Sequence, residues 1–140
     1  MYKKVLLAVD GSETSMKAAR IANDYLEKGI AEELTIAHVF MSREGSNYYI
    51  GTDISDKVIV ASRENGETVL EKTKALFTSP DKVKTILKSG DIAHTIIKLS
   101  NDFDLIIIGS RGMNTIAGLL MGSVSSRVVQ YAKRPVLVIK

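Results

Sequence analysis

Apolar runs of strand length alternate along this chain with longer amphipathic stretches, and each run ends in turn chemistry. The runs are KVLLAVD (4–10), LTIAHVF (34–40), KVKTILK (82–88), DLIIIG (104–109) and PVLVIK (135–140). Val5 to Val9 and Leu105 to Ile108 are apolar at every position, as expected of strands covered on both faces in a parallel sheet. The stretches between them have helical spacing. From Ser15 to Lys28 the positions Met16, Ala19, Ala22 and Leu26 recur at steps of three and four, and Ala18, Ile21 and Tyr25 widen the stripe. Asp56 to Phe77 repeats the pattern through Val58, Ala61, Val69 and Leu76, with Gly66 inside it at a cost of about 1 kcal/mol relative to Ala. Asp91 to Ser100 presents Ile92, Ile96 and Leu99. Ser123 to Lys133 presents Val124, Val128 and Tyr131, with Lys133 and Arg134 suited to a helix C-terminus and Pro135 ending it. The order β-α-β-α-β-α-β-α-β predicts an α/β fold: a doubly wound, five-stranded parallel sheet with helices on both faces and right-handed crossovers.

A chain of 140 residues, 45% hydrophobic and 25% charged, suits one domain with one core. Cysteine is absent, which removes disulfides, thiolate metal sites and a cysteine nucleophile, and suits a reducing cytoplasm. His38 and His94 fall on different elements without a second ligand at metal-binding spacing, so they read as packing or surface residues. The apolar part of MYKKVLLAVDGSE is too short for a signal peptide or a membrane span. The net charge of +3 comes from Lys and Arg interleaved with Glu and Asp, without the basic block or stacking aromatics of a nucleic-acid binder. One connection is unusual. Met41 to Ser55, MSREGSNYYIGTDIS, is polar and longer than most strand-to-helix loops; it reads as a surface loop, or as a lid carrying Arg43, Tyr48 and Tyr49.

In a sheet of this kind ligands bind beyond the carboxyl ends of the strands, where neighbouring connections diverge. Two sequence features fall there. The first strand ends in VDGSETS, with Asp10 at its tip. The fourth opens GSRGMNTIAGLLMGS, which spells G-x2-G-x9-G-[ST] through Gly109, Gly112, Gly122 and Ser123. Gly109 and Gly112 lack a Cβ and would let a ligand approach the backbone, with Gly112 open to positive φ. Gly122-Ser123 stands where a helix start favours an anion. Arg111 adds positive charge, and the Ser123 hydroxyl a donor. Taken singly these are ordinary turn and cap residues, with Ser123 a plain N-cap; together they favour phosphate. No G-x-x-x-x-G-K-[ST] or G-x-G-x-x-G occurs, and no lysine clamp or arranged acid pair accompanies Asp10, so the chain reads as a phosphate binder without an evident catalytic device, in which any hydrolysis would be slow. A partner-binding protein with a vestigial site is the alternative. A phospho-accepting receiver shares the alternation but needs an acidic cluster that this chain lacks.

The glycine pattern, the VLLAVDGSETS opening and the closing RPVLVIK together resemble the universal stress protein (UspA-type) family over essentially the whole chain. The resemblance implies strand order 3-2-1-4-5, a homodimer, cytoplasmic residence, a role in stress response and, with the glycine motif kept, ATP binding. It assigns Ala8 and Asp10 to the ribose or a phosphate-bound cation, Val39 to the adenine, Ile108 and Gly109 to the nucleoside, and Arg111, Gly112, Gly122, Ser123 and Val124 to the phosphates. Mg2+ or Mn2+, if bound, would be held mainly by those phosphates, because one carboxylate cannot make an all-protein site. The edge run Val136, Leu137, Val138 and Ile139 carries no gatekeeper charge and is expected to pair with its copy in a second chain, with Ile116, Leu119, Leu120 and Met121 either adding contact area or buried inside their own subunit.

Overall fold

The structure is a computed structural model that describes residues 1–41, 56–113, 118 and 120–140. The connection 42–55, and with it Arg43, Tyr48 and Tyr49, lies outside the described residues, as do Ile116 and Leu119. Five parallel strands, β1 (Tyr2–Ala8), β2 (Ala31–Phe40), β3 (Val83–Ser89), β4 (Leu105–Gly109) and β5 (Val136–Ile139), form one sheet in the order β3-β2-β1-β4-β5. The helices are α1 (Glu13–Glu27), α2 (Asp56–Lys74), α3 (Ile92–Leu99) and α4 (Ser123–Tyr131). This is the expected fold class and strand order.

Side chains of β1 alternate between two apolar layers, as successive residues of a strand must. Val5 and Leu7 pack with Ala18, Ala19 and Ala22 of α1 and Val69 and Leu70 of α2. Leu6 and Ala8 point the other way, onto Ile96 of α3 and Val128 of α4. The apolar-throughout runs of the sequence are therefore the central strands, and every residue of β4 is buried.

Helix ends follow local chemistry. The Ser12 hydroxyl caps α1 by accepting from the Ser15 amide at 3.2 Å. At the other end Gly29, at φ +70°, and Ile30 donate back to the Leu26 and Tyr25 carbonyls, a Schellman closure that favours glycine at this position. α2 runs unbroken through Gly66. A Cβ there would lie 2.7 Å from His38 Cδ2 and from Leu87 Cδ1, so the missing side chain is what lets α2 seat on β2 and β3. Regular helix stops at Lys74 instead of Phe77, because Leu76 and Phe77 tighten onto the Thr73 and Lys74 carbonyls. α4 stops at Tyr131 instead of Lys133, where Ala132 turns extended.

Candidate functional site

Ala8 of β1 is level with Ala37 of β2 and Ile108 of β4, so the tips of the three central strands share one rim. From that rim β1 leads into α1 on one face and β4 leads towards α4 on the other. The divergence leaves a cleft of about 740 Å3. Ala8, Asp10, Val39, Ile108, Gly109, Arg111, Gly112, Gly122, Ser123 and Val124, all singled out from the sequence, line this one cleft.

Asp10 is committed to backbone. Its Oδ1 accepts from the Ser12 amide at 2.9 Å and its Oδ2 from the Met113 amide at 3.0 Å. The Ser12 hydroxyl reaches the Arg111 carbonyl at 3.5 Å. The tip of β1 thus tethers the loop that follows β4, and the reason for two of the glycines changes. Gly112 does not have positive φ; a Cβ on it would fall 2.5 Å from Asp10 Oδ2, so its small size admits the carboxylate. A Cβ on Gly109 would meet the Thr14 carbonyl carbon and the Ser15 amide nitrogen at 3.1 Å, so Gly109 admits the first turn of α1. In both cases the close approach is made by the chain's own groups.

The start of α4 also differs from expectation. Ser123 is the first helical residue and is exposed, and the N-cap is Gly122, which has no side chain to satisfy the helix amides. The Gly122 amide donates to the Ser110 carbonyl at 2.7 Å, and the Ser125 hydroxyl donates to the same oxygen at 2.7 Å. Ser110 in turn donates its amide to the Ile139 carbonyl. Ser110 and Ser125, both buried, fix α4 to β4 and β5. The first bond within the helix runs from the Ser126 amide to the Gly122 carbonyl. The amides of Ser123, Val124 and Ser125 precede it and open towards the cleft end of the helix, where the macrodipole is positive.

The apolar part of the lining is Val39, Ile92, Ala93, Ile96, Ile108 and Val124, all but Ala93 packed in the layer that holds Leu6 and Ala8. Sequence reasoning missed Ser15, His38, Ser62, Asn65, Asp91 and Arg127, which line the cleft too. Two of these carried a signal: Asp91 follows Gly90 just past the end of the third strand, and Arg127 stands four residues after Ser123 on one helix face. Asp91 Oδ2 caps α3 by accepting from the His94 amide at 2.9 Å, and it lies 3.7 Å from Arg127 Nη1. His38 is the expected packing residue, buried with Nδ1 2.9 Å from the Val9 carbonyl, and His94 is exposed. Among the described residues no group of His, Asp and Glu is arranged to hold a metal ion, and no helix is long and apolar enough to cross a membrane.

Comparison with known proteins gives a consistent result. The profile of the Universal stress protein family matches residues 1–140. Universal stress protein YxiE of Bacillus subtilis is 31% identical over 151 aligned positions, spanning 100% of both chains. Among solved structures, universal stress protein UspA from Lactobacillus plantarum is 25% identical with a TM-score of 0.82, covering 99% of this chain and 98% of its own. A universal stress protein crystallised in complex with cAMP is 23% identical with a TM-score of 0.72, over 99% and 97% of the two chains.

Proposed function

The chain belongs to the universal stress protein family, and from the cleft geometry we propose that it binds an adenine nucleotide, with ATP the expected ligand, and acts as a stress-response module whose output follows nucleotide occupancy. The observation that carries this reading is the bare start of α4: Gly122 offers no capping side chain, and uncommitted amides stand beside an apolar wall. An apolar slot ending in backbone amides suits a flat base at one end and phosphate at the other. A protein of this fold has been solved with cAMP, so the fold is compatible with an adenine nucleotide.

In this arrangement Val39, Ile108 and Val124 flank the base, with Ala8 on the floor. Asp10 lies at the ribose edge, where its main work is to hold the Arg111–Met113 segment in place. Gly109 and Gly112 let the walls close around the site. The amides of Ser123 and Val124, the Ser123 hydroxyl and Arg111 take the phosphates, while Gly122 leaves the approach open. The residues present fit the nucleotide better than they fit a protein-held cation, since both Asp10 oxygens already accept from amides. Mg2+ or Mn2+ would ride on the phosphates. The module is a cytoplasmic homodimer in this reading, joined along β5 through Val136, Leu137, Val138 and Ile139.

Calorimetry with ATP tests the site. Gly122 has φ −80° and ψ 168°, which valine adopts without backbone strain, so Gly122→Val is expected to crowd the helix start while keeping the fold, which circular dichroism of the variant checks. ATP binding is expected in the wild type and lost in the variant. A wild type that does not bind ATP at millimolar concentration, or a variant that binds it equally, would overturn the reading.

A further inference from the structure

The contact between Asp91 and Arg127 joins the cap of α3 to α4 in the lining of the cleft, and neither residue has a role in the nucleotide arrangement above. Three features mark Arg127. It stands one turn after Ser123 on α4, and long side chains on a helix lean back over the preceding turn, towards the N-terminus. The amides at that end precede the first intrahelical bond. The guanidinium is only loosely held, 3.7 Å from Asp91 Oδ2, in a pair whose side chains are 48% and 26% exposed. That oxygen is already the cap acceptor for the His94 amide, so α3 keeps its cap whether or not Arg127 is present.

We propose that Arg127 is a phosphate-binding residue of the nucleotide site and that Asp91 competes with the ligand for it. Empty, the guanidinium rests against Asp91. Occupied, it turns along α4 to the phosphate gathered by the Ser123 and Val124 amides. A planar guanidinium exchanges one carboxylate for two or more phosphate oxygens with charge-assisted hydrogen bonds, so the exchange favours the ligand. Asp91 then sets a threshold, because every bound phosphate must displace it. The chemical class read out is the phosphate chain, not the base: the residue separates nucleotides from nucleosides.

This rests on the nucleotide reading, and the experiment separates the two. ATP and adenosine affinities are measured by calorimetry for the wild type, Arg127→Gln, Asp91→Asn and the double variant, with Arg134→Gln as a control far from the cleft, where its guanidinium bonds the Asn101 carbonyl. Asparagine is as good a helix cap as aspartate, so Asp91→Asn keeps α3 intact while removing the competing charge. The ratio of ATP to adenosine affinity is expected to fall about tenfold in Arg127→Gln and to rise several-fold in Asp91→Asn. In the double variant Asp91→Asn should add no gain, because the competition has lost its subject. If both single variants shift the ratio in the same direction, the pair is a structural clasp and the competition is refuted. If Arg127→Gln leaves the ratio at the wild-type value while the wild type binds ATP, this assignment fails and the nucleotide site stands. A wild type that binds no ATP overturns both.

Discussion

At the scale of single residues, the cleft is organised by what small side chains admit. Asp10 and Gly112 act as a lock: a carboxylate with two amide donors fits only because the neighbouring residue has no Cβ. Gly112→Ala must push the carboxylate off the Met113 amide, and a hydrogen bond to a charged group is worth about 1.5–3 kcal/mol. Chemical denaturation should show a loss of that order. In an Asp10→Ala background the same substitution should cost little, since nothing remains for the methyl group to displace. Ser123 makes a different case, exposed and without a structural bond to lose. Ser123→Ala should leave the melting temperature within a degree or two of wild type and weaken ATP binding by about ten- to a hundredfold. All three were named from the sequence as site residues, yet the structure gives Asp10 and Gly112 a positioning duty that spacing alone does not reveal.

At the scale of elements, α2 shows how packing overrides local preference. Propensity marks Gly66 as a weak point, and on an exposed helix Gly→Ala would stabilise by about 1 kcal/mol. Here the added methyl group would strike His38, whose ring is itself held by the Val9 carbonyl, and the end of Leu87. Gly66→Ala is therefore expected to destabilise by about 1–3 kcal/mol, as other overpacked sites do. Urea unfolding monitored by circular dichroism gives the sign, and a more stable variant would contradict the close seating of α2. α1 was legible in more detail. The alanine-rich stripe could be read from spacing, whereas the start at Glu13 behind the Ser12 cap, two residues ahead of the expected Ser15, the glycine closure and the contact with Gly109 emerge only in the folded chain.

At the scale of the whole molecule, the two sheet edges are unlike. β3 carries exposed Lys84 and Lys88 along its length, a common device against edge pairing. β5 holds only Val136, Leu137, Val138 and Ile139, the first three half-buried. The Pro135 and Ile139 carbonyls accept from Ile106 and Ser110, so the backbone groups of 135, 137 and 139 serve β4, and those of 136 and 138 face outward. Val138→Pro thus removes an outward amide and leaves the β4 ladder whole. Sedimentation is expected to find a dimer in the wild type and a monomer in the variant; a monomeric wild type at micromolar concentration would exclude pairing through β5. Leu120 is 71% exposed and Met121 half-buried, which leaves Leu120 open to a second chain instead of the core of its own.

What the sequence determined by itself was whatever depends on local period and local chemistry. The alternation of apolar runs and amphipathic stretches specified which segments become strands and helices, because burial on two faces or on one stripe leaves a pattern in the chain. The glycine motif and the first strand's aspartate marked the cleft rim, because strand tips in a wound sheet must converge. Only the tertiary structure decided what each glycine admits, which oxygen takes the Gly122 amide, and that Asp91 and Arg127 face each other across the cleft. Those facts join residues far apart in the chain, Asp10 to Met113, Gly66 to His38 and Asp91 to Arg127, and no periodicity encodes them. They follow from where the strands lie side by side and from how closely each helix can approach.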